Sequence, residues 1–550
     1  MAKVDGGDLV MKALKREGVD LVFGLCGGPI LELFRASATE GIRAIGVRHE
    51  QAAAFMAQAW SFVTGRPGVA LAASGPGMIN AITGLANAWA NCWPMVLIGG
   101  SSPQAAHQRG AFQEAPQVEM ARPVCKWAHQ VEETRRIPEY LSIAFRMATS
   151  GRPGPVYLDL PGDVIQKQVE LEEVRFPTDY RSDAKPLGDP RDVQRAAALL
   201  AEAQRPLLIV GKGVVWSEPY DELRRLVDTG LPFVTSPMGR GAIPDDHPMS
   251  FGAARSYALR QADVILAIGT RFNWIFHFGH PPRFDPEAKV IQVDIEPEEI
   301  GANRPAGVGI VGDARMVLQQ LLSELEGRTL TTDESPWLAA LRAQRQENEE
   351  AIEPLLNADD VPMNHHRMLR EIRDFLDRDA IVVDDGQASM AAARQVMPTY
   401  YPAHRLNSGT FGCVGVGVPF AIAAKLAHPQ KQVISISGDC AFGFNALELE
   451  TAVRAKAPVV FVVDNNDGIV GSHLQDHYLP PGWEPVATYI PGIRYDRIIE
   501  AFGGHAEHVE RPEEMRPALE RAFAAGVPAC INVAIDPKAG RYRPRMMQYE

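Results

Sequence analysis

Asp439 and Asn466 carry the side chains in this 550-residue sequence whose types and placement first suggest a bound cation. An apolar run, 433–437, ends in Gly438-Asp439, and a second, 459–463, ends in DNNDG at 464–468. A helix-like segment with Leu447, Leu449, Ala452 and Val453 joins them. Strand, helix and strand of this length form a right-handed parallel crossover. Asp439 and Asn466 then fall past the same carboxyl-terminal sheet edge, where open α/β sheets bind ligands. A carboxylate, an amide oxygen and a loop carbonyl such as that of Gly468 are hard donors suited to Mg2+ shared with a phosphate. Gly438, Ala441 and Gly443 would let backbone N–H groups approach that phosphate. Taken singly, Gly-Asp and Asn-Asn-Asp-Gly are also ordinary turns after strands.

A second acidic group, Glu50, opens the helical stretch RHEQAAAFMAQAW. A glutamate in a helix's first turn is electrostatically favoured there. The helix behind it is apolar and rich in small residues on all faces, so it is expected to be buried, with Glu50 at an interface. A buried carboxylate is a candidate proton-transfer group. Ser74-Gly75-Pro76-Gly77, with Asn80 one turn further on, reads as a tight turn into a helix or as a backbone wall for a planar ligand. Gln113 and Glu114 are conspicuously polar beside Phe112, with a solvated loop as the plain alternative. Gly386-Gln387 closes another strand-end turn in the third region. Lys212, between two glycines, and Asp294, at a later strand end, are weak nucleotide signals against a scaffold reading. The stretch NWIFHFGHPPR at 273–283 suits packing or a ligand wall better than a metal, for want of a third ligand nearby. The Pro-, His- and Tyr-rich segment 472–492 has the length of a lid or binding loop. Lys538, Arg541, Arg543 and Arg545 form either a frayed terminus or an anion-binding flap.

The elements that must position these groups alternate strand and helix throughout, an α/β class with parallel sheets. In the first region, 1–165, strands are expected at 21–25, 43–47, 69–73 and 95–98, and helices at 30–36, 50–64 and 78–90. A polar passage at 168–190 is a linker by composition. The second region, 191–345, has strands at 206–210, 232–235, 263–268 and 290–295. The third, 361–537, holds the crossover and strands at 380–383 and 530–535, and a tail of 538–550 follows. Such a length suggests about three domains of ~100–200 residues. The chain is 46% hydrophobic and 22% charged, with a formal charge of −13 and no basic stripe, so nucleic acid is not an expected partner. No apolar run reaches the ~18 residues of a membrane helix, so no membrane partner is expected. Six cysteines without CxxC pairs, and an amphipathic N-terminus without a signal-peptide core, read as a cytoplasmic protein with reduced thiols.

The glycine-acid crossover, GDC followed by NN, resembles the diphosphate anchor of thiamine-diphosphate enzymes, with Cys440 where the motif usually has glycine. RHEQAAA at 48–54, SGPG at 74–77, NCWPMVLIGGSS at 91–102 and GAFQEAPQVE at 110–119 extend the likeness. So do PLLIVGKG at 206–213, NWIFHFGHPPR at 273–283, HRLNSGTFGCVGVG at 404–417 and GDCAFGFNALELET at 438–451. Over essentially its whole length the chain resembles the acetolactate-synthase-like superfamily, nearest to the 2-hydroxyacyl-CoA lyases, with oxalyl-CoA decarboxylase next.

The resemblance implies three parallel-sheet domains: pyrimidine-binding, central nucleotide-type and diphosphate-binding. It implies thiamine diphosphate and Mg2+ as cofactors, with ADP a candidate in the central domain at Lys212 and Asp294. Glu50 would hydrogen-bond the aminopyrimidine and promote loss of the thiazolium C2 proton. The ylid so formed would cleave a 2-hydroxyacyl-CoA reversibly to an aldehyde or ketone plus formyl-CoA. Oxalyl-CoA decarboxylation and acetolactate-type carboligation are the alternatives. Asp439, Asn466 and the Gly468 carbonyl would hold the metal. Pro29, Ser74, Asn80, Gly386, Gln387, Gly438, Cys440, Ala441, Asn466 and Ile469 would line the cofactor, with Val414 as a small wedge. Gln113 and Glu114 would orient a substrate hydroxyl or carry protons. Met363, Asn364 and Arg405 would flank the CoA channel. Cofactor halves from different subunits imply a homodimer at minimum, with a homotetramer expected.

Overall fold

A computed structural model describes residues 2–469, 480, 482 and 486–539. The chain divides into two compact units: Met1–Asp183, Ser408–Pro429 and Asn445–Ala457 form one, and Ala184–Asn407, Gln430–Phe444 and Pro458–Glu550 the other.

The first unit is built on a six-stranded parallel sheet. Its order is β3 (Arg43–Gly46), β2 (Leu21–Gly24), β4 (Gly68–Ala72), β5 (Met95–Ser101), β7 (Pro155–Pro161) and β6 (Trp127–Gln130). A small antiparallel pair, β1 (Lys3–Val4) with β8 (Val169–Glu170), accompanies it. β4, β5 and β7 are buried along their whole length, as strands of a parallel sheet covered on both faces must be. The helix Glu50–Thr64 is buried over most of its surface, as its small-residue composition requires. It lies so close to the helix Pro76–Asn91 that a Cβ on Gly84 would stand 2.3 Å from that of Ala54. Phe55 meets Phe420 of the helix Gly417–Ala427 edge-on at 6.0 Å, and Phe62 stacks on Trp93 at 4.6 Å.

The second unit carries two more parallel sheets. The five-stranded sheet runs β10 (Phe233–Thr235), β9 (Pro206–Val210), β11 (Val264–Ile268), β12 (Lys289–Asp294), β13 (Val308–Val311). Alternate residues of β9 enter separate apolar clusters, Leu208 and Val210 in one, Leu207 and Ile209 in the other, as the two-residue strand period dictates. The six-stranded sheet runs β15 (Arg405–Leu406), β14 (Ile381–Asp385), β16 (Val433–Gly438), β17 (Val460–Asn465), β19 (Ala529–Ala534), β18 (His505–Val509). The β16–β17 crossover is parallel, with Gly438 opposite Asp464, and carries two short helices, Asp439–Asn445 and Glu448–Ala455, where the sequence suggested one. Among the described residues no helix is long and apolar enough to cross a membrane.

Candidate active site

The carboxyl-terminal edge of β14, β16 and β17 gathers the expected phosphate and cation residues. Gly386, with φ +93°, brings its backbone against that of Gly438: a Cβ added there would lie 3.2 Å from the Gly438 nitrogen. This is a close glycine pair of the kind a diphosphate needs. Gln387 begins the helix after Gly386 and is exposed, Ala441 is buried, and Cys440 is half-buried with its thiol beside the Tyr489 hydroxyl. Asp439 is buried and folds back on its own loop. Its Oδ1 accepts the Cys440 N–H at 2.6 Å, and its Oδ2 accepts the Gly468 N–H at 2.8 Å. Gly468 has φ +154°, and a Cβ there would stand 2.3 Å from the Ala487 carbonyl, so only glycine fits. Burial pushes the Asp439 carboxyl up to about 7, against those two hydrogen bonds and reinforced by Asp464 and Asp467. A carboxyl so placed is stabilised by a cation. Asn466, also buried, is the next strand-end group. Among the described residues no three His, Cys, Asp or Glu side chains converge on a metal. The donor set of Asp439, Asn466 and the Gly468 carbonyl contains one acid and fits Mg2+, which commonly uses one or two carboxylates plus water and phosphate oxygens.

Beneath this edge Asp464 accepts hydrogen bonds from Ser389 Oγ at 2.6 Å and is paired with His365 Nδ1 at 2.8 Å. Burial pulls the His365 pKa down, but Asp464 outweighs it and the net shift is upward. Ile469, partly exposed, donates its N–H to Ala487 at 2.8 Å. Most of the expected lid, at 470–479, 481 and 483–485, and the tail beyond 539 lie outside the described residues.

The second group of residues lies in the first unit. Glu50, only 6% exposed, is the first residue of its helix. Its Oε2 accepts from Asn80 Nδ2 at 3.0 Å, and Gly77 leaves room for its Oε1: a Cβ at Gly77 would come within 3.0 Å of it. The turn before Glu50 is gripped from the helix Glu448–Ala455. The buried Glu448 accepts the Arg48 and His49 N–H groups at 2.9 and 3.0 Å and the Thr451 hydroxyl at 2.6 Å. Ser74 donates its hydroxyl to Gln113 Oε1 at 2.7 Å, so the Ser74–Gly77 turn and the Gln113 loop form one structure. Pro29 packs on Gly100, where a Cβ would come within 2.8 Å of its ring. Val414, 39% exposed, sits in a loop held at two places. Asn91 bonds the backbone of Ser408 and Thr410, each at 3.0 Å, and Asn445 donates to the Gly415 carbonyl at 2.6 Å.

Several of the expected site residues have partners within the chain. Glu114 was expected to orient substrate or carry protons, but its carboxylate accepts the Gln108 and Ala111 N–H groups of its own loop. Those bonds, Gln108's first, hold its pKa below the usual carboxylate range and staple the loop. The three residues expected to flank the CoA channel have internal roles. Met363 is fully buried and bridges to Ile535. Asn364 caps the helix His365–Phe375 through the Arg367 N–H at 2.9 Å. Arg405 is buried against Asp384 at 2.6 Å. Lys212 and Asp294 stand at the ends of β9 and β12. The flanking Gly211 and Gly213 give their N–H groups to Ile268 and Gly269, so these glycines form no phosphate nest.

The sequence reading missed a cluster of cations in the second unit. Arg255 donates to the Ile275 carbonyl at 3.1 Å and lies 4.6 Å over the Phe276 ring. Burial, then the positive charges of Arg394 and Arg283, lowers its pKa to about 10. Burial and the same Arg283 and Arg255 lower that of His277. The aromatic and basic character of NWIFHFGHPPR was the cluster's only trace in sequence.

The Gly386–Gly438 pair and buried Asp439 of one unit, and the helix-start Glu50 of the other, are each features suited to an enzyme with a phosphate-bearing cofactor. Family models for the thiamine pyrophosphate enzymes match in three places: the N-terminal TPP binding domain at residues 4–120, the central domain at 193–321 and the C-terminal TPP binding domain at 384–533. The chain belongs to this thiamine-diphosphate enzyme family. It is 39% identical to 2-hydroxyacyl-CoA lyase 1 of Homo sapiens over 98% of this chain and 96% of the human one. It is 39% identical to 2-hydroxyacyl-CoA lyase of Arabidopsis thaliana over 99% and 97% of the two chains. Oxalyl-CoA decarboxylase of Escherichia coli (strain K12) is 38% identical over 98% and 96%.

Proposed function

We propose that this protein is a thiamine-diphosphate-dependent carbon–carbon lyase that cleaves a 2-hydroxyacyl-CoA reversibly to an aldehyde or ketone and formyl-CoA. The observation that carries the reading is the 39% identity, over nearly the whole chain, to 2-hydroxyacyl-CoA lyases of an animal and a plant. When bound, thiamine diphosphate supplies the carbanion chemistry at its own thiazolium carbon. Asp439, Asn466 and the Gly468 carbonyl would hold Mg2+, with Gly386 and Gly438 against the diphosphate. Glu50, oriented by Asn80, would hold a proton at the aminopyrimidine. Gln113, fixed by Ser74, would orient the substrate hydroxyl as its carbon–carbon bond breaks. The Arg255, Arg283 and Arg394 cluster is suited to the phosphates of CoA. ADP at Lys212 and Asp294 is the finer reading of the central sheet edge.

We further propose a homodimer at minimum, and a homotetramer as the working assembly, in which Glu50 of one chain and Asp439 of another serve one cofactor. The test of function is direct. Protein incubated with formyl-CoA and a ketone or aldehyde should yield a 2-hydroxyacyl-CoA adduct by mass. Absence of adduct with every carbonyl partner, together with carbon dioxide release from oxalyl-CoA, would make it the decarboxylase instead.

A further inference from the structure

Behind the Ser74–Gly77 turn lies a buried polar hub that the chemistry above does not use. Gln117, at the start of the short helix Gln117–Ala121, is 2% exposed, and Asp159, on β7, is 1% exposed. Asp159 accepts four hydrogen bonds from neutral donors. Gln117 Nε2 at 2.7 Å and the Tyr157 hydroxyl at 2.8 Å reach Oδ1. Ser101 Oγ and Gln130 Nε2, each at 2.7 Å, reach Oδ2. The Gln117 amide also reaches the Gly100 carbonyl at 3.0 Å and the Tyr157 oxygen at 2.8 Å. β5 and β7 therefore hold this one amide directly, and β6 holds its Asp159 partner through Gln130. Its remaining oxygen accepts the N–H of Gly75.

Gly75 is the residue that most needs holding. Its φ is +55°, and a Cβ there would stand 2.5 Å from the carbonyl of Gln113, whose own φ is +57°. The turn and the Gln113 loop touch backbone to backbone in conformations that L residues rarely adopt, and such strain persists only where surroundings over-determine it.

We propose that Gln117 is a positioning residue for the reacting centre: anchored by Asp159, it fixes Gly75 and, through Ser74, sets where the Gln113 amide points. The inference rests on the reading that Gln113 orients the substrate.

The test uses the full-length enzyme with thiamine diphosphate and Mg2+, a 2-hydroxyacyl-CoA, and three variants. Gln117→Met keeps the side-chain volume and removes the Gly75 acceptor. It should lower kcat about tenfold to a hundredfold, the scale of an ångström misplacement. The melting temperature should fall, because Gly75, Gly100 and Asp159 lose a buried partner, while the dissociation constant for thiamine diphosphate should hardly change. Gln117→Glu, when protonated, can still accept from Gly75 and donate to Asp159, whereas two ionised carboxylates cannot share the hub. Its kcat relative to wild type should rise as pH falls, a profile that a merely structural role would not produce. Unchanged kcat in Gln117→Met would overturn the proposal. So would a kcat loss matched by an equal loss in cofactor affinity. Gln113→Ala separates the two readings. Full activity in Gln113→Ala sinks the pocket assignment itself, while its loss beside an active Gln117→Met sinks only the positioning role.

Discussion

Glu50 and Asp439 are both buried acids at the ends of well-formed elements, yet their surroundings are opposite in kind. Glu50 has a neutral amide from Asn80, and the turn before it is fastened by backbone hydrogen bonds to Glu448. Asp439 has other acids for neighbours, Asp464 and Asp467, and burial pushes it up to about 7. Folding alone completes the first pocket. The second is left electrostatically short of a cation. Under the proposed function, preorganisation is therefore invested around the proton-holding Glu50, and the Asp439 end would be completed by its ligand.

The largest effect should come from the finished pocket. Glu50→Gln keeps size and the Asn80 contact but removes the proton-holding carboxylate. Loss of such a group lowers rates about 10²- to 10⁴-fold. We expect that loss in both turnover and exchange of the cofactor C2 proton followed by NMR, with the affinity for thiamine diphosphate nearly unchanged. C2 exchange at wild-type rate in this variant would end the assignment of Glu50.

At the other pocket the main effect should be on binding and stability. Wild-type protein with thiamine diphosphate and Mg2+ at about a hundred times their dissociation constant should gain ~2.7 kcal/mol of stability. Asp439→Asn should lose most of that gain, and so should wild type after chelation of divalent cations. Calorimetry with and without cofactor reads both. Equal cofactor stabilisation in the presence of chelator would erase the contrast between the two pockets.

The same contrast governs how much could be read from the sequence. Strands β2, β4, β5, β9, β11, β14, β16, β17 and β19 announce themselves as apolar runs because both faces are covered. The edge strand β18 (HAEHV) and the edge strand β6 (WAHQ) are half-buried and polar, so no apolar run marks them. β7 hides Asp159 inside a buried strand, and only its tertiary partners make that acceptable. Turns made of consecutive residues, such as Gly438-Asp439 or Ser74–Gly77, are legible where apolar runs end. Chemistry assembled across the fold is not. Arg255 and Arg394 are far apart in sequence and meet only in three dimensions. The contacts of Glu114 were hidden for a related reason: its type suggests acid chemistry but does not reveal that it binds the N–H groups of its own loop.

The next effect concerns Glu448, which fastens the finished pocket and is itself an acid. Glu448→Ala would remove the acceptor of two N–H groups next to Glu50 and should cost about 1–3 kcal/mol, given ~0.5–1.5 kcal/mol net per hydrogen bond. Turnover should fall as well.

Glu448→Gln is the subtler change. The amide oxygen can still accept from Arg48 and His49 while its NH2 group donates to Thr451, so stability near neutral pH should be kept or slightly raised. Glu448's pKa is raised, chiefly by burial and against the hydrogen bonds from Thr451, Arg48 and His49. Folded protein then binds more protons than unfolded protein between the ordinary glutamate pKa and the raised one. Stability must therefore fall as pH rises through that window. Its contribution is fully present below the unfolded-state pKa and lost above the folded-state one. In Glu448→Gln this decline should be shallower, so the variant should gain on wild type as pH rises from the acid side toward neutrality. Denaturant melts across that range measure it. Parallel pH profiles for the two proteins would show that folding does not raise the Glu448 pKa, and would leave it an ionised acceptor for the Arg48 and His49 N–H groups near neutrality.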